Sequence, residues 1–356
     1  MSQAFRDILK KVGSGSHTSQ PLSRDEAAEA GRMMLSQTAT PAQIGAFLIA
    51  HRIKRPTAPE LAGLLDAYGD LGPMMMPIDT EKAVTIFGCP YDGRSRTAPI
   101  IPITALLLAT AGIPVLLHGG DRMPTKEGLP LIEIWRSLGL PLDQLSLNQA
   151  RQLLQETGFG FVYLPQHFPL AQGIVEYREQ IGKRPPLATI ELFWCPYGGN
   201  AHVVSGYVHP PTEELAKGTF AQQGREQFTL VKGLEGSCDL PRSRAAIVGV
   251  THGDGRFEHL LLHAGDHGLS SYDLPLDDET AYLSALPGAI AGQPSELLGS
   301  ALWNGGFYLW RLGYCDTFSA GIAEAKRLLK EGQVQAKLAE IRQVLGQLKA
   351  PSAVLV

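Results

Sequence analysis

The chain has 356 residues, 31 Lys+Arg against 35 Asp+Glu, a formal net charge of −4 and 44% hydrophobic residues. That length and apolar content predict two or three folded units around a sizeable core and exclude a largely disordered chain. The near-neutral balance excludes a protein that coats nucleic acid by bulk charge and leaves only a local basic groove open.

In chain order, Met1–Val12 interleaves Arg6, Asp7, Lys10 and Lys11 with apolar positions, so no export signal is expected. Three capping-box patterns follow: Ser23 with Glu26, Thr40 with Gln43 and Pro41 at the first helical position, and Thr57 with Glu60. They predict a small helical bundle. In its second helix Ile44, Phe47, Leu48 and His51 share one face, which should be buried. Leu71–Gly72–Pro73–Met74–Met75–Met76–Pro77 reads as an inter-domain linker whose methionines are packing residues.

From Ala83 the texture changes to strands alternating with helices: strand Ala83–Phe87, helix Ile103–Ala111, strand Val115–His118, helix Leu131–Leu138. Further strands are expected at Gly160–Leu164, Val203–Val208, Phe228–Val231 and Ala245–Val250, and closing helices at Ala320–Lys330 and Val334–Leu348. The uncharged run Ala98–Leu117 is cut by Pro99, Pro102, Gly112 and Pro114 and reads as turn, helix, turn and buried strand, so no membrane association is expected. The fold class is therefore α/β, with a small N-terminal helical domain and a mixed, mostly parallel central sheet flanked by helices. Residues 1–76 are expected to form the helical domain, joined by a helical insertion near 171–183, and residues 80–356 the α/β domain. Cys89, Cys195, Cys238 and Cys315 are too scattered for a disulfide framework or a structural zinc site, which fits a cytoplasmic protein.

Ligands on such sheets bind beyond the carboxyl ends of the strands. After the first strand come Gly88, Asp92, Gly93, Arg94 and Arg96; the second ends on His118 and is followed by Gly119, Arg122 and Lys126. The four cations Arg94, Arg96, Arg122 and Lys126 in neighbouring βα units predict one shared anion site. In Glu235–Gly236–Ser237–Cys238–Asp239 two carboxylates on one loop are candidates for Mg²⁺. His259 and His263 lack the Glu of a metalloprotease motif, and Asp277–Asp278–Glu279 reads as a helix start. No G-x-S-x-G or Walker-type loop occurs, which takes support from those nucleophile and NTPase classes.

The stretch PLSRDEAAEAGRMMLSQTATPAQIGAFLIAHRIKRPTAPELAG, beginning at Pro21, resembles the N-terminal helical domain of the anthranilate phosphoribosyltransferase family, which is similar in fold to the class II pyrimidine nucleoside phosphorylases. The likeness continues through GIPVLLHGGDR, TKEG, GFGFVYLP and GIAEAKRLLKEGQVQAKLAEI, covering nearly the whole chain. It implies a phosphoribosyltransferase-like α/β domain, a ligand cleft between the two domains, Mg²⁺ with the phosphorylated substrate, and a homodimer formed through the helical domain.

The active-site words depart from the family pattern. Its G-T-G-G-D loop and N-I-S-T run align with Gly88–Cys89–Pro90–Tyr91–Asp92 and Ala98–Pro99–Ile100–Ile101. Its K-H-G-N-R word becomes Leu117–His118–Gly119–Gly120–Asp121 with Arg122 displaced by one, and its D-E metal pair becomes Cys238–Asp239, leaving Asp239 as the metal candidate. On the anthranilate side Arg178 is kept while the family's Asn is Ala188. Proline and isoleucine supply neither the close backbone approach nor the hydroxyl donors that pyrophosphate needs, so standard anthranilate transfer is expected to be lost. The loop Pro90–Tyr91–Asp92–Gly93–Arg94–Ser95–Arg96 is closer to a divergent bacterial branch associated with nucleic-acid binding. Three readings follow: a binder of a phosphorylated small molecule, including a pentosyltransferase with altered substrates; a single-stranded nucleic-acid-binding protein; and a non-catalytic dimeric scaffold.

Overall fold

The computed structural model describes residues 3–15 and 17–349; expectations for Met1 and Ser2 and for the chain beyond Lys349 fall outside the described residues. Helices α1 (Gln3–Gly13), α2 (Arg24–Leu35), α3 (Pro41–Lys54) and α4 (Ala58–Leu71) make the N-terminal bundle. Its helices start where the side chains satisfy the first free N–H groups. Glu26 N–H donates to Ser23 Oγ at 3.2 Å while Ser23 N–H donates to the Glu26 carboxylate at 2.9 Å, and Thr40 and Gln43 repeat the exchange. At the third start the fully buried Glu60 carboxylate accepts from Thr57 N–H, Leu22 N–H and Lys54 Nζ, which ties the starts of α2 and α4 to the end of α3. Ile44, Phe47, Leu48 and His51 are all buried, as their spacing predicts.

The larger unit runs β1 (Val84–Gly88), α5 (Ile101–Thr110), β2 (Val115–Gly119), α6 (Leu131–Ser137), α7 (Leu147–Thr157), β3 (Phe159–Tyr163), α8 (Leu164–His167), α9 (Pro169–Gln172), α10 (Val175–Ile181) and α11 (Leu187–Phe193). It continues with β4 (Ala201–Gly206), α12 (Pro210–Gln222), β5 (Phe228–Val231), β6 (Ala246–Thr251), β7 (Phe257–Leu262), α13 (Glu279–Ile290), α14 (Glu296–Arg311), α15 (Phe318–Lys330) and α16 (Gln333–Lys349). The seven strands form one sheet in the order β3-β2-β1-β4-β5-β6-β7. Neighbours from β3 to β5 are parallel, and β6 and β7 return antiparallel. Strands β1, β2 and β3 are buried at every residue, which explains their continuous apolar runs. The molecule is thus a small helical domain on an α/β domain with a mixed, mostly parallel sheet flanked by helices.

Two local expectations are corrected. Helix α5 begins at Ile101 rather than Ile103, because Pro102 sits in the first turn, where its missing N–H costs nothing. Of the three linker methionines only Met75 packs: it is fully buried and bridges to Tyr197, whereas Met74 and Met76 are 45% and 65% exposed. An extended segment points successive side chains to opposite sides, so one face packs and the other meets water. Helix α10 lies against α3, and the short helices α8 and α9 lead into it. Among the described residues no helix is long and apolar enough to cross a membrane.

Candidate functional site

The β1–α5 and β2–α6 loops leave the carboxyl ends of two adjacent parallel strands, where the candidate residues were expected. Gly88 is a packing glycine rather than a phosphate-facing one. A Cβ there would lie 1.9 Å from the Leu192 carbonyl oxygen, so α11 can cross the end of β1 only above a glycine. Gly93 has φ +69°, and the chain around it pairs with the β2–α6 loop: Arg94 N–H donates to Leu129 O, Leu129 N–H to Arg94 O, and Gly128 N–H to Asp92 O. The backbone at Gly93 is thereby committed to that loop. Gly119 is different, since a Cβ there would make only ordinary contact with Phe161 at 3.6 Å.

The cations are not free. Arg94, 4% exposed, donates from Nη1 to Asp239 Oδ2 at 2.6 Å and Ser237 Oγ at 2.8 Å, and from Nε to Glu235 Oε1 at 3.2 Å. Lys126 Nζ lies 2.9 Å from Glu235 Oε2 and also donates to Gly93 O. Arg96 reaches the same carboxylate at 3.6 Å from an exposed position. Arg122 sits apart, forked between Glu133 and Glu279 at 2.7 and 2.6 Å. Instead of four cations awaiting one anion, three surround an internal carboxylate and the fourth is held by two others.

That carboxylate, Glu235, occupies an anion cradle. It accepts from the backbone N–H groups of Ser95, Arg96 and Thr97 at 3.3, 3.0 and 2.9 Å, and from Thr97 Oγ1 at 2.9 Å. Burial alone would raise its pKa; Lys126 and Arg94, with the Arg96 N–H, override this and hold it well below the usual carboxylate range. The residue takes φ +54°, a left-handed conformation that a non-glycine side chain adopts at a cost. The surrounding contacts hold it there.

The other candidates are also internally matched. His118 is fully buried, with Nδ1 2.6 Å from Tyr91 Oη, and burial lowers its pKa to about 3, so it is neutral at pH 7 and is no phosphate cation. Asp92 is ion-paired with Arg184 at 2.6 Å. Arg178 is buried against Glu191, with Nη1 near the Met123 sulfur. Asp239 is fully buried; its Oδ2 also accepts from Ile100 N–H at 3.0 Å, which caps the start of α5 where a phosphate was expected. Its Oδ1 has no hydrogen-bond partner among the described residues, but a carboxylate already paired with Arg94, beside a Glu235 committed to three cations, does not fit a resident Mg²⁺. Among the described residues no group of three or more His, Cys, Asp or Glu is placed to hold a metal. His259 bonds Glu213 at 2.9 Å, and Asp278 caps α13 as its sequence implied.

What stays open is a cleft of about 330 Å³ between the α3–α4 turn of the bundle, the α10–α11 segment and the loops after β4 and β5. Arg52, Arg184, Tyr207, His209, Thr212 and Glu235 are among the residues that line it. Arg52, Arg184 and His209 were not among the candidates. Arg52 falls on the outward side of a helix whose buried face was the visible signal, and Arg184 lies in the irregular segment between α10 and α11, just ahead of Pro185 and Pro186.

Residues 6–72 match the model of the glycosyl transferase family helical bundle domain, and residues 93–335 that of the family's a/b domain. The chain is 29% identical over 337 residues to the anthranilate phosphoribosyltransferase of Bradyrhizobium sp. strain BTAi1, covering 94% of this chain and 96% of the relative. It is 27% identical to that of Rhodopseudomonas palustris strain BisB18 over 95% of this chain and 97% of the relative. Among solved structures, the anthranilate phosphoribosyltransferase of Thermus thermophilus superposes with a TM-score of 0.80 at 18% identity, covering 97% of this chain and 100% of that one. The Saccharomyces cerevisiae enzyme in complex with PRPP and Mg gives 0.82 at 15% identity, covering 97% and 99%. A helical bundle ahead of a mostly parallel sheet, both domain models in order and end-to-end likeness to these enzymes place the chain in the glycosyl transferase family to which anthranilate phosphoribosyltransferases belong.

Proposed function

We propose that this protein binds a phosphate-bearing small molecule in the inter-domain cleft and does not carry out ordinary anthranilate phosphoribosyl transfer. The observation behind this reading is the Glu235 carboxylate: it fills the N–H cradle at Ser95–Thr97 and consumes Arg94 and Lys126, so an incoming phosphate is left with Arg52 and His209, together with Arg184, which it shares with Asp92. Pentosyl transfer to another acceptor is the enzymatic form of the same reading. A Mg²⁺ carried by the ligand's own pyrophosphate is compatible with it and needs no protein carboxylate. Single-stranded nucleic acid fits less well, because Arg94, Arg122 and Lys126 are already neutralised and the net charge of −4 gives little long-range attraction.

Calorimetric titration with phosphoribosyl pyrophosphate should give one saturable site, weakened at least tenfold by Arg52→Ala/Arg184→Ala. A fluorescent single-stranded oligonucleotide should bind weakly or not at all. Tight oligonucleotide binding that falls steeply with salt would replace this reading with the nucleic-acid one; absence of binding by both ligands would leave the scaffold.

Dimerisation through the helical bundle accompanies the proposal. An apolar groove of about 410 Å³ between α1 and α3, lined by Val12, Ala46, Ile49, Ala50 and the 69% exposed Ile53, supports it. Light scattering is expected to report twice the chain mass of 38.4 kDa, and a monomer at micromolar concentration would count against the dimer.

A further inference from the structure

At the amino ends of the strands, the opposite end of the sheet from the inter-domain cleft, lies another cavity of about 360 Å³. Its polar lining is Lys82, Thr85, His202, Gln227 and Arg311, and it includes no Asp or Glu. Thr85 and His202 are register partners on β1 and β4, so their side chains stand on one face of the sheet, beneath the end of α14 that carries Arg311.

Arg311 is the unusual group. Its Nε donates to Thr229 Oγ1 at 3.0 Å and its Nη2 to Thr251 O at 2.8 Å and Phe228 O at 3.4 Å, all uncharged oxygens. It makes no ion pair with a described carboxylate, and burial pushes its pKa down with nothing opposing. The buried guanidiniums of Arg94 and Arg178 each have a carboxylate at hand. A desolvated charge without a counter-ion is costly, and a neighbouring anion removes that cost. Three further observations agree. Thr85 Oγ1 is fully buried and has no hydrogen-bond partner among the described residues. His202, bonded through Nε2 to Thr229 Oγ1, is lowered to about 3 by burial with Arg311 and Arg225 and is therefore neutral at pH 7. Lys82, at the cavity, stands over the Tyr314 ring at 5.4 Å, with no carboxylate among the described residues pairing it.

We propose that this cavity is a binding site for a small oxyanion-bearing molecule, its phosphate or carboxylate head held by Arg311 and Lys82 and its polar body by Thr85, His202 and Gln227. A volume of about 300 Å³ or more suits a small metabolite rather than a lone ion. The site is separate from the inter-domain cleft and stands whether or not that cleft binds a phosphate.

The test uses the full chain carrying Arg52→Ala/Arg184→Ala, which disables the cleft, titrated with inorganic phosphate and separately with malonate in a cationic buffer. At least one probe should bind saturably at one site. Lys82→Gln, at an exposed position that clamps no strand, should weaken that binding at least tenfold, and Arg311→Gln should abolish it. Preference for phosphate or for malonate identifies the head group, and either supports the site. No saturable binding of either probe at millimolar concentration, or binding unchanged in Lys82→Gln and in a folded Arg311→Gln protein, would overturn the proposal.

Discussion

Replacing Glu235 with Ala should destabilise the protein by about 3–5 kcal/mol, the usual cost of removing one partner from a buried ion pair. The variant would leave the buried Arg94 with Asp239 as its one carboxylate partner and Lys126 with only a carbonyl, and would strip three N–H groups of their acceptor. Relief of the left-handed backbone at residue 235 returns little against that loss, because alanine is strained there too. Chemical denaturation of both proteins checks the figure. The same carboxylate predicts a pH dependence. Its folded pKa lies below the ordinary value of 4.5, so the stability it contributes is fully present above that value and is lost as pH falls through the depressed one. Glu235→Gln should flatten the acid limb of the stability profile. Phosphate or sulfate should stabilise the Ala variant more than the parent, since either can occupy the emptied cradle. A variant as stable as the parent, with no gain from phosphate, would show that the cradle is not an anion site.

The fold was largely legible because its signals are local. Ser23 with Glu26, Thr40 with Gln43 and Asp278 each announce a helix start within four residues, and the short apolar runs of β1, β2 and β3 are what full burial requires. Boundaries slipped where two local rules meet, as at α5, where proline both breaks a helix and suits its first turn. The candidate site was legible only in half. Arg94 and Lys126 announce positive charge in a strand-end loop, but the carboxylate that answers them comes from the loop after β5, roughly 140 residues further on in the chain for Arg94. Nothing in local spacing encodes such a pairing. His118 shows the converse: a histidine at the end of a strand, beside two glycines, reads as a ligand, and only its full burial against Tyr91 and Trp194 makes it a neutral packing group.

The second large effect concerns turnover. Phosphoribosyl transfer needs donors and metal already in place for the charge that develops on pyrophosphate and on the sugar. Here the cradle is filled, Asp239 is paired with Arg94, His118 is neutral, and the start of α5 is capped by Asp239 rather than open to a phosphate. Removing a single such donor typically costs about 10²–10³ in rate, so the combined changes should lower kcat by at least roughly 10⁴ from an ordinary enzyme's. Glu235→Gln alone should not restore it, because Ile100 and Ile101 offer no hydroxyl at the start of α5 and Ala188 offers no amide.

The most direct measurement is steady-state turnover of the purified full chain with anthranilate, phosphoribosyl pyrophosphate and Mg²⁺, run alongside calorimetric titration of phosphoribosyl pyrophosphate alone. The expected result is saturable binding that depends on Arg52 and Arg184, with no product formation above background. Turnover at about 1–10³ s⁻¹, the ordinary range for enzymes, would contradict it and mean that Glu235 leaves the cradle when substrate arrives.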